Sequence, residues 1–310
     1  MLDTVFFDSP IDDPIRRERL YSGRLFVFSP RASTIALCEF ARNMIEDAFD
    51  GKDPRTAQYS MPVEEFVSIC APLKPRFIHQ PTTMKLIRDV VEELGCGLDN
   101  TYIDVPRLRM VTHGGYLTSG VGYAHHPHRD TWYSAPMCQL NWWLPIYPFD
   151  AESSMAFHPR YWARPIKNGS SRFNYYQWNM EGRKNAAKHI TSDTREQPHA
   201  EEPIELEPQI RLVCPPEGVV MFSAAQLHST VPNTSGLTRY SIDFRTVNVD
   251  DVVAGRGAPN IDSAPVGTSL RDFRRAADFA AMPDDLVQTY DKQAGQGGVL
   301  VFQPESQTCR

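Results

Sequence analysis

The chain has 310 residues, of which 41% are hydrophobic and 23% charged, an ordinary composition for a globular protein with a sizeable core. Its net charge is -6 and it has no dense run of Lys or Arg, which disfavours binding to nucleic acid through phosphate neutralisation. The acidic first residues do not predict a signal peptide, and no apolar run of about 18 residues predicts a membrane helix.

The N-terminal part, residues 1–105, is predicted to be mainly helical. Apolar residues recur with helical spacing after Pro30, and the run stops at Asp50 and Gly51. A second, shorter helix is predicted to begin at Pro62. A third extends from Pro81 to Leu94, just before a glycine in the usual left-handed cap position.

Short β-rich runs separated by turn signals follow from residue 106 onward. Many short strands after a helical block predict a mostly β fold with flanking helices. The expected core is a double-stranded β-helix, of the jelly-roll or cupin-like type, with helices packed on one outer face. The predicted strands are Leu108–Leu117, Met137–Ile146, Ile210–Cys214, Gly218–Phe222, Leu227–Val231 and Thr238–Val247.

The chain is interpreted as one domain, 1–310, with its jelly-roll core in residues 106–247. A charged and aromatic insertion interrupts this core at about 150–207, and its segment Phe173–Trp178 favours an ordered lid over a disordered loop. Residues 248–310 form a C-terminal extension. One more helix is predicted there, from Ser269 to a point before Pro283.

The six cysteines are scattered along the sequence without any CxxC pair. In a chain of this size, that distribution is typical of reduced thiols that fill the core of a cytoplasmic protein. We therefore expect free thiols and a cytoplasmic location. The cysteines are Cys38, Cys70, Cys96, Cys138, Cys214 and Cys309.

His128 and Asp130 are two residues apart, and in an extended segment such residues point to the same side. Together with His228 they supply two imidazoles and one carboxylate, the ligand composition of a facial triad on non-haem Fe(II). Such a site leaves three positions of the metal free for a co-substrate and dioxygen. His126 and His128 form an alternative pair with the same spacing, and a lone histidine is more often a structural residue than a ligand.

The segment that contains His228 also offers a site for a co-substrate. Residues 218–239 read as turn, strand, His228, turn, and a second strand that begins near Arg239. A fixed guanidinium at Arg239 could hold the far carboxylate of a dicarboxylic keto acid through two parallel hydrogen bonds. This context strengthens the metal hypothesis considerably.

These residues resemble the Fe(II)/2-oxoglutarate-dependent oxygenases, specifically the phytanoyl-CoA dioxygenase-like branch, over about Leu108–Val247. The resemblance implies catalytic metal ligands at His128, Asp130 and His228, with Arg239 and Thr230 on 2-oxoglutarate. It also implies Fe(II) and O2, with release of succinate and CO2. Relatives that halogenate carry a small residue in place of the carboxylate ligand, so Asp130 disfavours halogenation.

Strand parity suggests further pocket residues. Gln139 and Asn141 share one face of a strand just after the metal motif, where their amides could orient the keto acid. Packing of the neighbouring tryptophans and ion pairing among the charged residues are sufficient structural explanations for several candidates. The substrate candidates are Arg107, Arg109, Trp143, Tyr175, Trp178 and Arg245, and Arg172 and Tyr176 are added for the lid.

The predicted function is oxidation of a C-H bond in a small organic molecule, in specialised metabolism, with neither nucleic acid nor membrane as a partner. Hydroxylation, desaturation, ring formation and demethylation all fit this chemistry. Three alternative functions are compatible with the same fold or the same metal ligands. They are a cupin-like metalloenzyme without a keto acid, a non-catalytic small-molecule-binding barrel, and a zinc hydrolase.

Overall fold

The computed structural model of this protein describes residues 5–118, 122, 125–182 and 197–291. Within these ranges the chain forms two sheets with flanking helices, which confirms the predicted combination of sheets and helices, although more of the described residues lie in helices than in strands. None of the helices in this part is long and apolar enough to cross a membrane. The helices are α1 Asp13–Tyr21, α2 Ala32–Ala48, α3 Val63–His79, α4 Pro81–Glu93, α5 Tyr175–Gln177, α6 Val249–Val253 and α7 Asp284–Tyr290.

The described residues form eleven strands in two sheets. The strands are β1 Val5–Phe7, β2 Leu25–Phe28, β3 Thr101–Ile103, β4 Arg107–Val111, β5 Leu140–Pro145, β6 Met155–Phe157, β7 Ile210–Arg211, β8 Val219–Ser223, β9 His228–Thr230, β10 Arg239–Asn248 and β11 Arg274–Arg275. The larger sheet has eight of them, in the order β1-β2-β8-β5-β10-β3-β11, and β4 pairs with the first half of β10. The smaller sheet has the order β7-β6-β9.

Strand β5 separates two cores because successive side chains point to opposite faces. Trp142 is fully buried on the side of α2, α3 and α4, where Leu37 and Ile87 pack in the same cluster. Trp143 lies on the other face, in a cluster with Phe157 and Phe222 between the two sheets. The helices thus cover one outer face of the large sheet, as predicted, and the site residues lie on the opposite face.

The three predicted N-terminal helices are present as α2, α3 and α4, but this part of the chain also contributes strands to the large sheet. Strand β2 pairs with β8, and β1 adds to β2 in parallel. Leu25–Phe28 is a run of four buried residues. Buried on both faces, such a strand lacks the polar alternation that identifies a strand in a sequence.

The range predicted for the insertion, about 150–207, contains strand β6. This strand pairs with β9, so it belongs to the smaller sheet. Residues 183–196 of the insertion lie outside the described ranges.

The prediction of a helix from Ser269 to a point before Pro283 is wrong. Ser269–Asp272 is a single 3-10 turn, capped by the side chain of Thr268, and β11 then pairs with β3. The helix in this region, α7, begins after Pro283. Pairing with an available sheet edge outweighs the local helical preference of this segment.

The five described cysteines, Cys38, Cys70, Cys96, Cys138 and Cys214, are free and buried, which confirms the predicted core thiols for these residues. Cys309 lies outside the described ranges.

Candidate metal centre

His128 and His228 are held side by side by a reciprocal pair of backbone hydrogen bonds. The amide of His128 donates to the carbonyl of His228 at 2.9 Å, and the amide of His228 donates back at 3.0 Å. The two ring centroids are 4.4 Å apart. Asp130 follows as the first residue of a 3-10 turn, Asp130–Tyr133, so the chain turns away directly after presenting its carboxylate.

Both imidazoles are oriented by carbonyl oxygens of their own segments. His128 Nδ1 lies 2.7 Å from the carbonyl of His126, and His228 Nδ1 lies 3.0 Å from the carbonyl of Gln226. A carbonyl can only accept, so each Nδ1 carries a proton and Nε2 is the ring nitrogen that faces the site. Burial lowers the pKa of His228 to about 4, which keeps this ring neutral at physiological pH.

One oxygen of Asp130 faces the two imidazoles. Its Oδ1 lies 3.4 Å from His128 Nε2 and 4.0 Å from His228 Nε2. One ligand atom from each of the three residues lies within 4.8 Å of the other two, a group that could hold a metal ion. Burial alone would raise the pKa of Asp130, but the neighbouring imidazoles and a nearby guanidinium lower it to about 2, so the carboxylate is ionised. These three residues are called the triad below.

The other oxygen of Asp130 is held by side chains of the large sheet. Asn141 Nδ2 donates to Oδ2 at 3.0 Å, Gln139 Nε2 reaches it at 3.4 Å, and Arg245 Nη2 lies 3.3 Å away. Asn141 and Gln139 therefore face the triad, as strand parity predicted. Their observed contacts are with the Asp130 carboxylate and with each other, and contact with a keto acid stays a prediction.

Arg239 is a buried cation on the same face of β10 as Arg245. Its Nη1 donates to the carbonyl of Ser153 at 2.8 Å, and its guanidinium lies 5.4 Å from the ring centre of Trp143. Its Nε is buried without a hydrogen-bond partner, and no carboxylate of the described chain lies within 4.0 Å. Burial lowers the pKa of Arg239 to about 10, which leaves it charged at neutral pH. A buried, incompletely paired guanidinium is costly unless a ligand completes its hydrogen bonds.

A cleft with about 710 Å³ of empty space, partly open to solvent, connects Arg239 with the triad. Thr230 lines the same cleft, so the structure brings together the residues predicted for the metal and for 2-oxoglutarate. Apolar side chains form part of the lining of this cleft. This first cleft is also lined by Met110, Trp143, Met155, Phe222 and Phe244.

A second cleft of about 1010 Å³, also open to solvent, meets the first at the triad. The two share His128 and Asp130 as lining residues. From His128 a series of aromatic rings leads along the second cleft. Ring centroids are 5.6 Å apart from His128 to Tyr133, 5.3 Å from Tyr133 to Phe173, and 5.9 Å from Phe173 to Trp178.

The three arginines predicted as substrate contacts all line this second cleft. Each is also in an ion pair with an aspartate. Arg107 contacts Asp104 at 3.0 Å, and Arg109 contacts Asp243 at 2.6 Å. Arg245 contacts Asp104 and Asp243 at 3.5 and 3.7 Å, in addition to the triad carboxylate. The predicted ion pairing of Arg245 with Asp243 and its neighbours is therefore present, and it coexists with exposure to the cleft.

Two of the predicted lid residues, Tyr175 and Tyr176, contact the C-terminal part of the chain. The hydroxyl of Tyr175 hydrogen-bonds the buried carboxylate of Asp272, and that of Tyr176 hydrogen-bonds Asp291. Tyr175 and Trp178 line the second cleft, whereas Tyr176 does not. Arg172 pairs with Glu201 at 2.7 Å, within the insertion.

Two residues beside the triad have other roles. His126 is exposed and is not in the metal-competent group, so the alternative pair of histidines does not form in the described chain. Arg129 is only 2% exposed and faces away from the triad. Its guanidinium contacts Asp262 Oδ2 at 3.2 Å and donates to the carbonyls of Ala225 and Tyr161 at 2.5 and 2.6 Å.

Sequence reasoning missed several residues that line the clefts. Tyr133 packs edge-on against His128, and its place in the turn after Asp130 was an available signal. His125 lies 3.2 Å from Arg109 through its Nε2, and burial lowers its pKa well below the usual value. Lys74 of α3 lines both clefts, although nothing in the helical pattern of that segment distinguishes it.

No family model and no curated protein matched the sequence. Among solved structures, the chain is similar to EvdO2 from Micromonospora carbonacea var. aurantiaca, with 13% identity and a TM-score of 0.35, over 56% of this chain and 62% of EvdO2. It is similar to the non-heme monooxygenase ThoJ, with 14% identity and a TM-score of 0.40, over 75% and 76% of the two chains.

The chain is also similar to SnoN, a non-heme alpha ketoglutarate dependent epimerase from nogalamycin biosynthesis, with 12% identity and a TM-score of 0.37 over 83% of this chain and 98% of SnoN. EvdO2 has been solved with 2-oxoglutarate, ThoJ with Ni, and SnoN with Fe3+, alpha ketoglutarate and nogalamycin RO. These likenesses are low, and the function proposed below rests on the geometry of the site itself.

Proposed function

We propose that this protein is an Fe(II)/2-oxoglutarate-dependent dioxygenase that oxidises a C-H bond of a small organic molecule. His128, Asp130 and His228 would hold the iron, and Arg239 with Thr230 would bind the far carboxylate of 2-oxoglutarate. When bound, iron and the keto acid supply an oxidant made from O2, with release of succinate and CO2. Hydroxylation is the simplest outcome of this chemistry.

The observation that carries the proposal is the buried guanidinium of Arg239. It faces the same cleft as the triad and has an Nε donor without a partner in the described chain. A dicarboxylate that reaches from the triad to Arg239 would supply the missing acceptor and neutralise the charge. A metal site that used no keto acid would leave the buried Nε donor of Arg239 without an acceptor.

The chain's own residues also support the metal chemistry. Both imidazoles present Nε2 to the site, and Asp130 presents a single oxygen while Asn141 and Arg245 hold the other. This arrangement favours three ligands on one face of an ion. The apolar side chains that line part of the first cleft would limit the access of water to the oxidising centre.

Two finer assignments belong to the same proposal. The two sheets would be the halves of a double-stranded β-helix, in a single domain whose insertion covers the site. On the resemblance of Leu108–Val247, the chain would belong to the phytanoyl-CoA dioxygenase-like branch. The free, buried thiols support a reducing, cytoplasmic environment.

The test has a binding arm and a turnover arm. Calorimetry without oxygen, on protein loaded with Mn(II), should detect 2-oxoglutarate binding to the wild type. The variant Arg239→Gln should bind it about 100-fold more weakly, because a charge-assisted bidentate contact is lost. With Fe(II), ascorbate and O2, succinate should form from 2-oxoglutarate in the presence of a panel of small organic substrates.

Arg256→Gln is a matched control, since Arg256 pairs with Asp251 at 2.8 Å and lines neither cleft. It should bind the keto acid as the wild type does. A protein that binds Mn(II) but has no affinity for 2-oxoglutarate would instead be a metalloenzyme without keto acid. A protein that binds neither would be a non-catalytic barrel.

A further inference from the structure

Arg107 presents one free edge of its guanidinium to the second cleft. Its contacts with Asp104 and with the carbonyl of Val105 all use Nη1, at 2.8 to 3.3 Å. Neither Nε nor Nη2 has a partner among the described residues. These two donors form the parallel fork that binds a carboxylate in a bidentate manner. Asp104 thus fixes the arginine while the fork remains available.

The charge around the second cleft favours an anion. Four cationic side chains line it, Lys74, Arg107, Arg109 and Arg245, against the two carboxylates of Asp104 and Asp130. Asp243 also pairs with Arg109 and Arg245 from the neighbouring cleft, so among the described residues four cations face three carboxylates. A divalent metal on the triad would add to this excess, so an acidic ligand would be attracted.

The aromatic side chains of the second cleft favour an apolar, planar group in the rest of the ligand. Tyr133, Phe173 and Trp178 form a continuous series of rings that begins at His128 and lines the same cleft. Successive rings at these distances offer faces and edges on which a planar apolar group can stack. A ligand that used both features would span from the fork of Arg107 to the triad.

We propose that the substrate is an aromatic or similarly planar carboxylic acid, whose carboxylate binds the Nε–Nη2 edge of Arg107 and whose body packs on Tyr133, Phe173 and Trp178. This assignment rests on the proposed function, because it places the reacting carbon beside the open face of the triad. Arg107 is then a substrate-binding residue, distinct from Arg239, which binds the co-substrate.

The experiment uses matched pairs of probes on the full chain loaded with Mn(II). Benzoate, cinnamate and 2-naphthoate are each compared with the corresponding carboxamide by calorimetry. The wild type should bind the acid of at least one pair about tenfold more tightly than its amide, the effect of one charge-assisted bidentate contact. Arg107→Gln should abolish this preference.

Two further variants separate the possible causes. Arg107→Lys keeps the positive charge and can still contact Asp104, but it lacks the fork, so it should also lose most of the preference. Arg239→Gln should retain the preference, which shows that the probes do not occupy the co-substrate site. Thermal unfolding of each variant checks that it is folded.

The proposal is overturned if no pair shows a preference for the acid, or if the preference persists in both Arg107 variants. It is equally overturned if Arg107→Gln weakens 2-oxoglutarate instead, since the arginine would then serve the co-substrate. Failure of the proposed function gives a different result. The protein would then bind no 2-oxoglutarate, but it would still prefer the acids, and only the Arg107 variants would lose this preference.

Discussion

Arg245 Nη2 lies 3.3 Å from Oδ2 of Asp130, the oxygen that is hydrogen-bonded by Asn141. The same guanidinium lies 3.5 Å from Asp104 and 3.7 Å from Asp243. One arginine therefore joins three carboxylates on neighbouring strands and turns. Because it holds Oδ2, it restricts rotation of the Asp130 side chain and leaves Oδ1 facing the imidazoles.

Asn141→Leu should weaken metal binding without removing a ligand. The substitution preserves approximate volume but deletes the 3.0 Å hydrogen bond to Oδ2, so the carboxylate loses part of its orientation. Affinity for Mn(II) should fall about 10- to 100-fold, the usual effect of losing a partner that orients a ligand. Calorimetric titration measures this. The control is Asn100→Leu, which removes a hydrogen bond from Asn100 to Asp250 at the surface. This variant should bind the metal as the wild type does.

Arg129→Met should destabilise the fold rather than alter the metal site directly. The substitution removes the buried partner of Asp262 and the donor to three backbone carbonyls. Breaking one side of a buried ion pair typically costs about 3 to 5 kcal/mol in the free energy of unfolding. Urea denaturation measures it. Arg88→Met, which removes a half-exposed pair with Asp89, should cost at most about 1 kcal/mol, and equal losses would contradict this assignment.

Stability should decline as the pH rises above about 9. Burial raises the pKa of Cys70, Cys138 and Cys214 to about 12, from 9.0 for an ordinary thiol. These thiols stay protonated in the folded state but ionise in the unfolded state, so their contribution is complete below pH 9 and is lost between about 9 and 12.

The free energy of unfolding in urea, measured at pH 8 and pH 10.5 under reducing conditions, checks this sign. Cys138→Ala should show a smaller decline than the wild type. The native protein should also react slowly with a thiol reagent at neutral pH, because the described thiols are buried and protonated. Rapid modification of several of them in the folded protein would contradict the burial seen here.

Tyr175→Phe should loosen the attachment of the insertion to the C-terminal extension. It removes a hydrogen bond to the buried carboxylate of Asp272, and bonds to charged groups contribute about 1.5 to 3 kcal/mol. Hydrogen exchange should accelerate in residues 173–178, and unfolding should shift to lower urea. Tyr59→Phe, which deletes an exposed bond to the carbonyl of Gly236, should leave both measurements nearly unchanged.

The triad could be predicted because its signal lies in local patterns. The spacing of His128 and Asp130 and the shared side of Gln139 and Asn141 both depend on backbone geometry that an extended segment imposes on its own residues. Asp243 and Arg245 on β10 follow the same rule, since they are two residues apart and pair at 3.7 Å.

The features that could not be predicted depend on contacts distant in sequence. Lys74 reaches the clefts only because α3 packs beside β4, and Leu25–Phe28 becomes a strand only because β8 offers it an edge. The tail after Ser269 illustrates the same limit, since its helical pattern gives way to pairing with β3. Composition and periodicity describe a single segment, whereas the segments that pack against it determined these positions and strand pairings.

The reciprocal backbone bridge between His128 and His228 has a consequence for how the protein is loaded. Two of the three candidate ligands are already positioned by ordinary sheet hydrogen bonds, so an ion would find its binding geometry in place. Folding would then not wait for the metal, in contrast to small domains that are unfolded without it. The ion would add stability only through mass action, and a chelator should yield a folded protein that can be reloaded with another divalent cation.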